Sequence, residues 1–351
     1  MKNILLIGAF GYKINKLDGQ TVKTRNIYQM LKQRTNYEIS FFDTLDVKYN
    51  LFLLFKLFVM IVKCDIVIII PCSNSLNKIY VPLYHLSKIF KFEIIFIGVG
   101  GWQIEYFMGG YKFKPHPKQF EISKKIKAFL PEIKSVTEEL VTKYGFKNCE
   151  TFPNFRLGCD VDSFSGVLTE NLGQLKLVFI GRINKNKGYD IIFNMIPLIR
   201  AMHYDMKIDF YGPLNSNDQD DFLSKICKNK DFVEYKGELA PNEIVSILKK
   251  YDVMLFPTQY YTEGVPGSII DAYMSEIPVV ATCWKHAHEV VIDNVSGIIV
   301  PFDNCQEFFN NAVLKLYKDR KYLLRLKQGT IQGLIPYSEK TAWSILRKYI
   351  E

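Results

Sequence analysis

A chain of 351 residues is too long for one ordinary core, so two domains of similar size are expected. Hydrophobic content of 48% with 23% charged residues excludes a chain dominated by disorder. The net charge of +9 favours an anionic partner, whether nucleotide, lipid surface or nucleic acid, and the lack of a recognisable nucleic-acid module ranks the last of these lowest. The 7 cysteines show neither a C-x-x-C pair nor a zinc-like Cys/His spacing, so reduced thiols in a cytosol are expected, with no disulfide and no metal. MKNILLIGAF has too short an apolar part for a signal peptide and reads as a buried first strand. The apolar stretch 51–70 is interrupted by Lys56, Lys63 and Asp65, which argues for a helix and a strand rather than a membrane span.

The first half alternates strands and helices, the pattern of a parallel sheet covered on both faces. ILLIG (4–8) is the first strand, and a loop to Gly19 leads into a helix over 20–34. YEISFFD, DIVIII and EIIFIG follow as strands, with helices NLFLLFKLFVMIV and NKIYVPLYHLSKIF between them. Residues 98–117 read as a long loop, a feature that in compact domains usually serves function or mobility. A helix ending near Leu130, a short strand IKSVT, a helix TEELVTKYG and a last strand near ETFPNF complete this half. The segment 153–173, rich in Gly, Asn, Asp and Ser, marks the domain crossing. KLVFIG, MKIDFYG, FVEYKG, DVMLFP, IPVVAT and SGIIVP then form a second series of strands, separated by amphipathic segments such as YDIIFNMIPLIRAM and NEIVSILKKY. Two doubly wound sheets are expected to face one another across a crevice at the carboxyl ends of their strands, where ligands bind in open α/β folds.

Two stretches of the second half carry chemistry. YTEGVPGSIIDA (261–272) follows an apolar strand and precedes a helical pattern, so TEGVPG is a strand-to-helix turn. Gly264 and Gly267 lack Cβ atoms, Pro266 suits a helix start, and backbone donors at such a terminus attract phosphate. Glu263 before the helix and Asp271 one turn inside it could face one ligand from different heights. Equally, Glu263 could be an ordinary acid near a helix N-terminus and Asp271 a solvated helix residue. FIGRINKNKG (179–188) places Arg182 and Lys187 in another strand-to-helix loop, closed by Gly188. A planar fork of donors and a mobile point charge together suit a diphosphate, although a solvated basic loop would look the same.

Taken together, G-R-x(4)-K-G followed by E-G-x-P-x(4)-acid-A resembles the nucleotide-sugar-binding half of the retaining glycosyltransferase family 4, of GT-B fold, as found in bacterial cell-surface polysaccharide synthesis. In outline the resemblance covers the whole chain. It implies an N-terminal acceptor-side Rossmann-like domain over 1–160, a C-terminal nucleotide-sugar-binding domain over 161–335, and a last helix over 336–351 that crosses back to the first. Arg182 and Lys187 would hold the donor diphosphate, Glu263 would contact hydroxyls of the transferred sugar, and backbone N–H groups around Gly264 and Val265 would meet the phosphates, with Pro266 part of the same donor-binding turn. The ribose would fall to Asp271, where the family usually has Glu; one methylene less shortens the reach by about 1.5 Å. DGQTVKTRNIYQML resembles the family's glycine loop and first helix, placing Gly19 beside the donor phosphates, with Asp18 where the first of two glycines often stands. An ordinary Asp-Gly turn capping a helix explains that piece as well. GVGGWQIEYF resembles an acceptor-side loop, which nominates Gly101, Trp102 and Gln103, Trp102 being able to stack on a sugar ring. No histidine lies between Gly98 and Gly110, and none is assigned a catalytic role; His286 and His288, two residues apart, do not share a helix face and read as structural.

The implied activity is hexosyltransferase-type transfer from a UDP- or GDP-sugar to a hydroxyl of a saccharide or lipid-linked saccharide, with retention, without cofactor or metal. A front-face route fits, because no second carboxylate of glycosidase type is evident. A cytoplasmic chain is expected, peripheral on the inner membrane face if the apolar helix near 51–62 and the Lys-rich segment 112–127 dock on anionic lipid; core packing and solvation explain those segments equally well. Two rivals stand beside this reading: a sugar-nucleotide epimerase or hydrolase using the same crevice, and a non-catalytic nucleotide-sugar-binding partner subunit.

Overall fold

NILLIG and IVIII are apolar at every position and flanked by turns, and a strand of that kind is stable only with both faces covered. The computed structural model describes residues 2–14, 16, 18–46, 52–71, 73–110, 114–159 and 172–351. It divides into two units, Met1–Cys159 with Tyr337–Glu351, and Asp160–Pro336. Part of the interdomain segment read from the sequence, 160–171, lies outside the described residues, as do Leu51 and the start of the Lys-rich segment at 112–113.

In the first unit the elements run β1 (Asn3–Gly8), α1 (Gly19–Arg34), β2 (Glu38–Asp43), α2 (Leu53–Val62), β3 (Ile66–Ile70), α3 (Ser73–Phe90), β4 (Glu93–Ile97), α4 (Gln103–Phe107), α5 (Gln119–Ser123), β5 (Ala128–Leu130) and α6 (Lys134–Thr142). The five strands are parallel, in the order β2-β1-β3-β4-β5. Ile4, Leu6, Ile66, Ile68 and Ile95 meet Ile27, Met30 and Leu31 of α1 in one core.

The second unit holds β6 (Leu175–Ile180), α7 (Tyr189–Ala201), β7 (Met206–Tyr211), α8 (Gln219–Lys228), β8 (Val233–Tyr235), α9 (Ile244–Leu248), β9 (Val253–Phe256), α10 (Gly267–Met274), β10 (Val279–Thr282), α11 (Ala287–Val290), β11 (Gly297–Val300), α12 (Gln306–Lys318) and α13 (Arg320–Leu334). Its six parallel strands run β11-β10-β9-β6-β7-β8, so the order reverses between β6 and β9. The last helix, α14 (Glu339–Ile350), returns to the first unit, where Ala342, Leu346 and Ile350 enter the same core as β1 and α1. Lys2 fastens its end by donating to the carbonyl of Ile350 at 2.8 Å.

Four local expectations are corrected. The helix expected to end near Leu130 is the short α5, and Ala128–Leu130 is the buried edge strand β5. IKSVT is not a strand: from Lys134 it is the first part of α6, with Val136, Thr137 and Leu140 on the buried face. Its β-branched residues imitate a strand, but their spacing serves one side of a helix. ETFPNF forms no strand; the neighbouring Cys149 makes one isolated bridge to Phe129, and the proline in this segment denies the ladder a donor. The loop over 98–117 contains α4, one turn of helix that buries Gln103, Tyr106 and Phe107.

Candidate functional site

In open α/β sheets the carboxyl ends of the strands flanking a reversal of strand order leave a crevice for ligands. In the second unit those strands are β6 and β9, paired through Leu177 with Val253 and Val178 with Met254. The loops leaving them are the two stretches singled out from the sequence, 181–188 and 257–266.

The first loop is shaped by its own residues. Asn184 accepts the Lys187 N–H at 2.9 Å and so caps a single 3-10 turn over Lys185–Lys187. Gly188 then adopts a left-handed conformation (φ 80°) and opens α7. A Cβ there would lie 1.8 Å from the Pro257 carbonyl oxygen, so the loop can lie flat against the end of β9 only because this residue is glycine. The Gln259 N–H donates to the Asn186 carbonyl at 2.8 Å and stitches the two loops together.

The second loop is held from β10. The Thr282 hydroxyl donates to the Thr258 carbonyl, the Lys285 N–H donates to Tyr261 at 2.9 Å, and the Thr258 hydroxyl reaches Glu263 at 3.4 Å. Pro266 is the cap residue of α10, whose start has no side-chain cap. Gly264 and Val265 form the approach to it, with Val265 buried.

These two constraints bring Lys187 and Glu263 into a direct ion pair, 76 residues apart in sequence. Both are partly sheltered, with side chains 25% and 16% exposed, and the Lys187 ammonium lies 5.7 Å from the centre of the Phe256 ring. The cation expected at a diphosphate and the acid expected at a sugar therefore share one place. Arg182 stands exposed at the end of β6, two residues beyond the strand. Asp271 is buried within α10 at 5% exposure, which corrects the solvated reading of it.

In the first unit Gly19 is the first residue of α1, and no atom lies within 4 Å of where its Cβ would stand. Asp18 caps that helix: its carboxylate accepts the Thr21 N–H at 2.9 Å while the Thr21 hydroxyl accepts the Asp18 N–H at 3.0 Å. Burial opposes the charge on Asp18, but the Thr21 N–H and Lys16 outweigh it and hold its carboxyl below the ordinary value. Trp102 donates its indole N–H to Val99 at 2.7 Å and stands edge-on to Tyr106, beside a buried Gly101. Gln103 is 1% exposed, its amide packed against Gly98. His286 is buried near Glu289, and His288 lies 3.5 Å from the Cys283 sulfur, so the two histidines face different partners.

Sequence reasoning missed the residues that set this geometry. Asn184 acts within its own turn, whereas Thr282 reaches Thr258 from 24 residues away, and only the N-x-x-K spacing of the Asn184 turn is a signal in the sequence. Lys23 was also missed: fully buried, it donates to Glu132 at 2.8 Å and to the carbonyls of Gly98 and Phe152. Desolvation pulls its ammonium below the ordinary lysine value, against the pull of Glu132.

Two doubly wound parallel sheets of this kind make the chain a GT-B α/β protein, the architecture of its structural neighbours. Residues 174–319, which contain both loops, match the family model described as glycosyl transferases group 1. A capsular polysaccharide biosynthesis glycosyltransferase, CapM of Staphylococcus aureus, is 28% identical over 165 residues, 46% of this chain and 41% of that protein. The chain spans only 40% to 60% of the length of the first curated relatives it matches. Among solved structures, a glycosyltransferase from Rickettsia africae superposes with a TM-score of 0.73 at 15% identity, covering 99% of this chain and 97% of that one. Anabaena Alr3699/HepE in complex with UDP gives a TM-score of 0.71 at 13% identity, covering 100% and 99%.

Proposed function

We propose that the protein is a retaining glycosyltransferase that moves a hexose from a nucleoside-diphosphate sugar to a hydroxyl of a saccharide or lipid-linked saccharide, in cell-surface polysaccharide assembly. The carrying observation is the Lys187–Glu263 pair at the reversal point of the second sheet, where cation and acid are held together by two stitched loops. On this reading Lys187 and Arg182 take the diphosphate, backbone N–H groups around Gly264 and Val265 join them in the turn that Pro266 closes, Glu263 turns to the sugar hydroxyls, and Asp271 serves the ribose. Uridine is favoured over guanosine as the base, since neighbours such as HepE are seen with UDP. Gly19 is assigned to the donor phosphates, and Gly101 and Trp102 to the acceptor side; buried Gln103 would act there by supporting the loop.

In the proposed front-face step, the bond from the anomeric carbon to the leaving phosphate oxygen breaks with its electron pair going to that oxygen. The acceptor oxygen forms the new bond on the same face and passes its proton to the departing diphosphate. Protein cations stabilise the growing charge, so no metal is required. The test is a panel of nucleotide sugars assayed for diphosphate release, with and without saccharide acceptors and with a chelator present. Acceptor-dependent release that drops at least about a hundredfold in Lys187→Ala and Arg182→Ala is expected. Release without any acceptor would favour a hydrolase or epimerase, binding without turnover a partner subunit, and undiminished turnover in both variants would overturn the assignment.

A further inference from the structure

A helix on a protein surface normally turns its apolar stripe inward and its charges to water. α2 buries Leu57 and Ile61 but exposes Phe52 at its cap and Leu54, Phe55, Phe58, Val59 and Val62 along its length. Phe52 is 87% and Phe55 74% accessible. At 3.6 residues per turn these six side chains cover an arc of roughly 160°, bordered on one side by exposed Lys56 and Lys63. The Phe58 ring, 5.8 Å from that of Phe90, carries the patch to the end of α3, where Ile89 is 68% exposed between Lys88 and Lys91. Beside it, a depression of about 240 Å³ is lined by Lys88, Lys125 and Lys127, with Glu93 paired to Lys127. Residues 52–64 and 73–91 contain 5 lysines and no acid. Among the described residues no helix is long and apolar enough to cross a membrane.

We propose that α2 and the end of α3 dock the first unit on the surface of an anionic lipid bilayer. The phenylalanine and aliphatic side chains enter the boundary between headgroups and acyl chains, and the lysines around them meet lipid phosphates. This deepens the transferase reading and rests on it for the purpose of docking, which is to hold the chain where a lipid-linked acceptor lies. A second copy of the chain fits the face poorly. Pairing two such faces would oppose rims of like charge, those of Lys56, Lys63 and Lys88. A bilayer demands neither area nor shape complementarity, and each lysine near an anionic surface strengthens partition about fivefold.

The experiment is sedimentation of the full chain with vesicles of phosphatidylcholine alone and of phosphatidylcholine with phosphatidylglycerol, at low and high salt. Binding to the anionic vesicles that weakens with salt is expected. Phe52→Ser with Phe55→Ser should lower partition at least about tenfold, and Lys56→Glu with Lys63→Glu at least about tenfold on anionic vesicles only. Both variants should melt at the parent temperature, because the side chains replaced are exposed. Absence of binding to anionic vesicles, or binding unchanged in both variants, overturns the proposal. So does a dimer in sedimentation velocity that the phenylalanine variant abolishes, which would assign the face to a second copy. Diphosphate release with a soluble acceptor should persist in these variants, so failure of docking and failure of the transferase assignment are read separately.

Discussion

Gly188 shows how one missing side chain decides the shape of the loop over 181–188. Its backbone is left-handed, and a methyl group would meet the backbone carbonyl of Pro257, just past the end of β9. Gly188→Ala should therefore cost about 2–4 kcal/mol, read as a lowered thermal midpoint, and should weaken donor binding by displacing Lys187. Gly19 makes the opposite case. With open space around its Cβ position and a helical role, Gly19→Ala should leave stability unchanged or raise it by about 0.5–1 kcal/mol. A fall in diphosphate release in that stable variant would show that the residue is small for the ligand's sake, and unchanged release would remove it from the site. Arg182, Lys187 and Glu263 were legible because the chain spells them at strand ends, where loops open toward a ligand. Their pairing was not, because nothing local to Lys187 announces an acid 76 residues away.

At the scale of elements, α1 begins where Asp18 and Thr21 exchange hydrogen bonds, and that reciprocal cap is the structural meaning of the Asp-Gly pair. Asp18→Ala should destabilise the first unit by about 1 kcal/mol in urea unfolding. The sign of its pH dependence follows from a folded pKa below the unfolded 3.8. The cap's electrostatic contribution is complete above the unfolded value and is lost as pH falls through the folded one. An acid titration of stability in which parent and Asp18→Ala fail to converge at low pH would contradict this. The same scale explains the sequence errors between 119 and 155. Elements of three to nine residues offer too few turns for periodicity to separate strand from helix, and it is pairing with β4 that makes Ala128–Leu130, not IKSVT, the strand.

Across the first unit, Lys23 ties α1 to the ends of β4 and β5 and to the segment that follows, through one buried ammonium. Removing only its counter-charge should be severe: Glu132→Leu should cost about 3–5 kcal/mol, while Lys23→Met with Glu132→Leu should recover most of the loss. Because burial lowers the lysine's folded pKa beneath the unfolded 10.5, the unfolded chain binds that proton more firmly. Its contribution therefore rises as pH climbs from the folded value toward the unfolded one. α14 is the second tie. Leu346 is wholly buried with β1 and α1, and Leu346→Ala should cost about 2–5 kcal/mol in the first unit, measurable as a lower midpoint.

The sequence by itself determined four of the five strands of the first sheet, all six of the second, the helix behind each motif and the residue types able to meet a diphosphate. Apolar runs, periodicity and glycine placement are local properties of the chain, and they suffice for those elements. Only the tertiary structure decided which loops meet, that Lys187 lies on Glu263, that Asp271 is buried, and that α2 turns phenylalanines outward. Each of these is set by strand order and by packing between segments distant in sequence, where no short-range pattern carries the information.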